Sequence, residues 1–106
     1  MRTINHFGVP TTTPQPGEVY NEGLSVHLTD PTQSPNKIEY LRFEPGSCMC
    51  KLIQTVPHIA YEVDSLEEEL KGATVLFPPT ACSDTLTIAF IEEEGIPLEL
   101  MEFAKH

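Results

Sequence analysis

The sequence predicts an α+β fold in which two related, strand-rich modules pack into one sheet system. Three observations lead there. Most apolar segments are short, alternate with a period of two and end at Gly, Pro, Asn or Asp, as half-buried strands do. Only one segment, "DSLEEELKG" at 64–72, carries a full set of helix signals. The halves also echo each other: each opens on a strand with a histidine near its start, "NHFGV" and "PHIAYEV". Each closes on a strand with an internal glutamate, "IEYLRFE" and "LELMEF".

Taken in order, "TINHFGV" (3–9) is the first strand, and "PTTTPQPG" stops it because its prolines cannot supply ladder donors. "GEVYNEG" has room for one helical turn at most. In "LSVHLTDP" Leu24, Val26 and Leu28 alternate with Ser25, His27 and Thr29, a strand with one wet face and His27 pointing outward. "DPTQSPN" is a turn. "KIEYLRFEP" follows as a strand, with Glu39, Leu41 and Phe43 on one face and Ile38, Tyr40, Arg42 and Glu44 on the other. "GSCMCKLIQTV" has weak signals and reads as the link between halves.

The second half is clearer. "HIAYEV" is a strand; Asp64 or Ser65 caps the helix "LEEEL", Glu67 or Glu68 suits a capping box, and Gly72 suits the left-handed residue beyond its end. The glutamate run is a solvated helix face that also complements the helix dipole. "ATVLFPP" is a strand, "TACSD" a loop, "TLTIAFIEEE" a long strand, Gly95 to Pro97 a turn, and "PLELMEFA" the last strand.

A length of 106 residues supports one domain, with module 1 at about 1–50 and module 2 at about 56–104. The formal charge of -10 argues against nucleic acid and anionic membrane as partners, and leaves Arg2, Lys37, Arg42 and Lys51 to meet any anionic substrate. No window resembles a membrane span or a secretion signal, so a cytoplasmic protein is expected. Cys48, Cys50 and Cys82 lack zinc-ribbon spacing and read as reduced thiols.

Strand parity puts His6 with Gly8, and His58 with Ala60 and Glu62, on polar or small faces opposite apolar ones. Glu99 shares a face with Met101 and Phe103, an expensive place for an unpaired charge unless a cation or a proton relieves it. Two histidines and two carboxylates suit a divalent ion, with Glu39 and Glu44 competing for the fourth place. Histidines that simply hydrogen-bond are the plainer reading. His27 and His106 are expected at the surface, and Tyr20, Tyr40 and Tyr61 in packing roles.

"HIAYEVDSLEEELKGATVLFPP" followed by "IAFIEEEGIPLELMEF" resembles the closing half of the vicinal oxygen chelate superfamily; "INHFGVP" and "IEYLRFEP" resemble its first half more loosely. That superfamily includes glyoxalase I, methylmalonyl-CoA epimerase, bleomycin-resistance proteins and extradiol dioxygenases. The resemblance implies paired βαβββ modules curled into a mixed-sheet cup around a metal, with His6, Glu39, His58 and Glu99 as ligands. It implies a homodimer acting on a small molecule. The activity implied is a lyase, isomerase or epimerase working through an enediolate, with Glu99 or Glu39 moving the proton and Arg42 or Lys37 meeting an anionic tail. Zn, Ni, Mn, Co and Fe all fit such ligands. The alternative is a metal-free binding protein of the bleomycin-resistance type, its cavity lined by Leu41, Phe43, Tyr61, Met101 and Phe103. Two departures stand out: the first module lacks most of its helix and, on this reading, a strand, and "EEEGIP" replaces the common "DPDGN" turn.

Overall fold

The alternating segments form eight strands: β1 (Thr3–Pro10), β2 (Val19–Asn21), β3 (Val26–Leu28), β4 (Ile38–Phe43), β5 (His58–Glu62), β6 (Thr74–Ala81), β7 (Leu86–Glu93) and β8 (Ile96–Phe103). They make one mixed sheet, ordered β2-β3-β4-β1-β5-β8-β7-β6, that curls into a half-barrel cup. The structure is a computed structural model, and it describes residues 1–104. His106, expected at the surface, lies outside the described residues. Among those described, no helix is long and apolar enough to cross a membrane.

The sheet has an internal twofold pattern. β1 and β5 run antiparallel at its centre, each has a parallel partner on its outer side (β4 and β8), and an antiparallel pair completes each wing. Module 2 is therefore β5, a helix α2 (Leu66–Glu69), then β6, β7 and β8. Module 1 keeps all four strands, so the expected loss of one is corrected: "VYN" forms β2 and pairs with β3 in place of a helical turn. Its shortening falls on the helix and on β2 and β3, three residues each. Pro14 and Pro16 explain the missing helix, since each lacks the backbone donor a helix interior needs.

One face of the sheet is closed by α2. Leu66 packs with Val63, Ala89, Ile91, Leu98 and Leu100. Ser65 caps the helix by accepting from the Glu68 amide at 3.2 Å, and the Glu102 carboxylate accepts from the Leu66 amide at 2.7 Å. Arg2 pins the helix from outside, bonding Glu69 at 2.9 Å and both carboxylate oxygens of Glu93 at 2.9 and 2.8 Å.

The other face, which carries His6 and His58, is also packed. The segment expected to be a bare link contains a helix, α1 (Lys51–Thr55). Its Ile53, fully buried, and Met49 just before it pack against Ala60, Ile88, Phe90 and Met101. Cys50 makes no side-chain cap bond, which is why the local signal is weak. Tertiary burial of one apolar face forms the turn instead, and Met49 and Ile53 at i, i+4 are the trace of it in the sequence.

Two boundaries also moved. β6 runs past the expected end at Pro79 to Ala81, into the segment expected as a loop; Pro78 and Pro79 are tolerated in an edge strand, and the ladder is irregular between Phe77 and Thr80. The β7–β8 turn sits at Glu94 and Gly95, both with positive φ (56° and 82°), the conformation of a tight two-residue hairpin loop.

If α1 is a packed part of the fold, Ile53→Ala should destabilise the protein by about 2–5 kcal/mol in urea denaturation. An unaffected midpoint would return the segment to a loose connection.

Candidate metal centre

His6 on β1 and His58 on β5 lie at the sheet's centre, and the ladder sets what faces each. His6 pairs with Ala60, and Gly8 pairs with His58, so each imidazole meets a small residue on the neighbouring strand. The fit at Gly8 is close: a Cβ there would lie 2.0 Å from Cε1 of His58. The carboxylates enter from the parallel partners in the same register in both modules. Glu39 of β4 pairs with Gly8 and Glu99 of β8 with Ala60, in each case two residues beyond the histidine of the adjoining strand.

One ligand atom from each of His6, Glu39, His58 and Glu99 lies within 4.8 Å of the others. Nε2 of His6 is 3.5 Å from Oε1 of Glu39 and 3.4 Å from Oε1 of Glu99, and Nε2 of His58 is 3.1 Å from the same Glu99 oxygen. His6, His58 and Glu99 are buried, and Glu39 is half-buried. Phe90 meets the His58 ring edge-on at 5.1 Å.

The far nitrogens differ. Nδ1 of His6 lies 2.7 Å from Oδ1 of Asn5, whose amide nitrogen donates to Glu62 at 2.8 Å. Nδ1 of His58 is buried with no hydrogen-bond partner.

Charge explains the protonation. Burial opposes a charged His6, but the nearby carboxylates of Glu39 and Glu99 outweigh it and hold the pKa at about 9, against an ordinary 6.5. Burial likewise opposes an ionised Glu99, yet His58 and His6 bring its pKa down to about 2 from 4.5. The His6–Glu99 contact contributes to both shifts.

The donor set fits a divalent cation. Atoms bound about 2.1 Å from one ion lie roughly 3.0–3.4 Å apart, close to the spacings found here. Nε2 of His6 is buried between two carboxylates without a well-formed hydrogen bond to either, an orphan that a shared ion would satisfy. These residues can therefore hold a metal ion.

Glu44, the competitor for the first-module position, is on the opposite face of β4, where it bonds His27 at 2.9 Å and Arg42 at 3.3 Å. Arg42 also pairs with Glu18, so it is turned away from the cluster and already occupied, contrary to the expected contact with an anionic tail. Lys37 is exposed. His27 faces away from the cluster as expected but is half-buried, between Glu18, Glu44 and Tyr20, with its ring centroid 4.6 Å from that of Tyr20. The three cysteines are free thiols. The residues expected to line a ligand cavity are not gathered into one: Met101 belongs to the layer under α1, against which Phe43 packs, Tyr61 packs in the α2 layer, and Phe103 is exposed. A surface hollow of about 310 Å³ lined by Gln15, Asp30, Ile38 and Tyr40 lies on the far side of β4 from Glu39. Sequence reasoning missed Asn5, because nothing local marks it as a hydrogen-bond partner, whereas Gly8 and Ala60 were legible as small residues on the histidine faces.

No protein-family model matches the chain, and no curated protein matches its sequence. Solved structures do match. A hypothetical protein from Bacillus halodurans superposes with a TM-score of 0.63 at 18% identity, covering 99% of this chain and 96% of that one. Methylmalonyl-CoA epimerase from Mycobacterium tuberculosis superposes with a TM-score of 0.59 at 15% identity, covering 96% and 88%. At such identities the shared property is the fold.

Gly8→Ala should force the His58 ring out of place at a cost of about 1–3 kcal/mol, read in thermal or urea unfolding. Unchanged stability together with an unmoved His58 resonance would contradict the close fit. For the metal-free protein, the His6 contribution is fully present below about pH 6.5 and is lost as pH rises through about 9. The Glu99 contribution is present above about pH 4.5 and is lost as pH falls through about 2. Denaturation of chelated protein should therefore be most favourable to the fold between about pH 4.5 and 6.5, and a flat profile from there to pH 9 would refute the pairing.

Proposed function

We propose that this protein is a glyoxalase-like, metal-dependent lyase, isomerase or epimerase that acts through an enediolate on a small oxygenated substrate. One observation carries the reading: four ligating side chains from four strands converge on one buried point in equivalent register. The fold shared with an epimerase is in keeping with it.

In this scheme His6, His58, Glu39 and Glu99 hold the cation. Bound there, a divalent ion supplies Lewis-acid polarisation of a carbonyl and neutralises charge as an enediolate develops. The chain's own residues supply the rest. Glu99 contacts both histidines and is held ionised, so it is anchored. Glu39 contacts only His6 and is the most exposed of the four, with 16% of its side chain accessible. Glu39 is thus the carboxylate freer to take a proton from the carbon beside the carbonyl and return it. Packing of α1 over Ala60, Phe90 and Met101 limits water on one side of the centre. The metal-free binding alternative is not better supported: Phe43 and Met101 lie in one packed layer and Tyr61 in the other.

We also read the protein as a homodimer. Ile4 and Phe7 on β1, and Val19 and Tyr20 on the edge strand β2, are exposed apolar side chains in the module that lacks its helix. Sedimentation should give a dimer mass.

Metal analysis is the main test. Purified protein should hold about one equivalent of Zn, Ni, Mn, Co or Fe, His58→Ala should lose it with the fold intact, and binding at neutral pH should release about one proton, from His6. Small carbonyl compounds bearing an adjacent oxygen should exchange their C–H for deuterium in heavy water only with the metal present. Glu39→Gln should slow that exchange by roughly 10²–10⁴-fold. No uptake of any of these ions at micromolar concentration would remove the enzyme reading.

A further inference from the structure

The two histidines occupy equivalent places in the sheet, yet their far nitrogens are treated differently. Between Ile4, which pairs with Tyr61, and His6, which pairs with Ala60, the β1 ladder carries one unmatched residue, Asn5. Such a bulge re-aims a side chain. Here it brings the Asn5 amide between His6 and Glu62, 2.7 Å from Nδ1 of the one and 2.8 Å from Oε2 of the other.

The polarity of this chain follows from donor and acceptor chemistry. An ionised Glu62 only accepts, so the amide nitrogen of Asn5 must face it. The amide oxygen therefore faces His6, and it too only accepts. Nδ1 of His6 must then carry the proton, which leaves the lone pair of the neutral ring on Nε2, the nitrogen aimed at Glu39 and Glu99. His58 has no such partner: Nδ1 is unsatisfied, and its ring is held by the close approach of Gly8 and the edge of Phe90.

We infer that Asn5 is a positioning residue that locks His6 into the tautomer able to bind a cation through Nε2, with Glu62 fixing the amide's orientation. The inference rests on the metal-centre reading above. An outer hydrogen-bond partner fixes ring orientation and raises ligand basicity, and removal of one commonly weakens metal binding. The His6 side of the centre is thereby built by hydrogen bonding and the His58 side by shape.

Two measurements test it. Imidazole nitrogen NMR of chelated wild-type protein, well above the His6 titration, should show the His6 proton on Nδ1. Cobalt(II) binding, followed by its visible absorption, should weaken on the order of 10–100-fold in Asn5→Ala. The double variant Asn5→Asp with Glu62→Gln reverses the donor and acceptor between residues 5 and 62 but keeps an oxygen on Nδ1, so it should restore near-wild-type binding. A merely structural role would not predict that rescue. A His6 proton on Nε2 in the wild type, or undiminished cobalt affinity in Asn5→Ala, would overturn the inference. Wild-type protein that takes up no cobalt sinks the metal-centre reading instead, and the tautomer spectrum then decides the role of Asn5 alone.

Discussion

The structure turns on the burial of two carboxylates and two imidazoles at one point in the middle of a sheet. A lone ionised group in such a place costs several kcal/mol, and two like charges close together cost more. Positive charge is therefore required. In the absence of an ion, the proton on His6 provides part of it, set against the carboxylates of Glu39 and Glu99. A divalent cation held by these donors would offset both carboxylates.

Register makes the convergence possible. A parallel ladder sets Glu39 against Gly8 and Glu99 against Ala60, and the central antiparallel ladder sets each histidine against one of those same small residues. A one-residue slip in any of these ladders would send a ligand to the opposite face. Gly8 is part of the same constraint, because a side chain there would occupy the volume of the His58 imidazole. The two apolar layers, one under α1 and one under α2, then hold the register by burying alternate residues of the same strands.

Much of this was legible in the sequence, for identifiable reasons. Period-two alternation in "HIAYEV" and "LELMEF" fixed which residues share a face, so the histidine face and the buried setting of Glu99 followed from parity. The helix at Leu66–Glu69 announced itself through Ser65 and Gly72, both of which do what their chemistry implies. What parity could not settle was Glu39 against Glu44, since they lie on opposite faces of β4 and only the tertiary fold says which face is inward. Helix α1 was missed because it is formed by burial of Met49 and Ile53, not by local capping. The bulge at Asn5 was missed because an unmatched residue is a property of the ladder between two strands, and neither strand alone reveals it.

The packed helix also bears on how the centre is reached. Side-chain exposure rises across the cluster, from 0% at His58 through 5% at His6 and 11% at Glu99 to 16% at Glu39. Within each kind of ligand the module 1 member is the more accessible, His6 over His58 and Glu39 over Glu99, and module 1 is the one that has lost its helix and kept only three-residue wing strands. The same direction exposes the carboxylate least engaged by the histidines. Arg42, on the same strand as Glu39, faces the other side of β4 and is neutralised by Glu18 and Glu44. With a formal charge of -10, the surface around it gives a strongly anionic ligand little attraction.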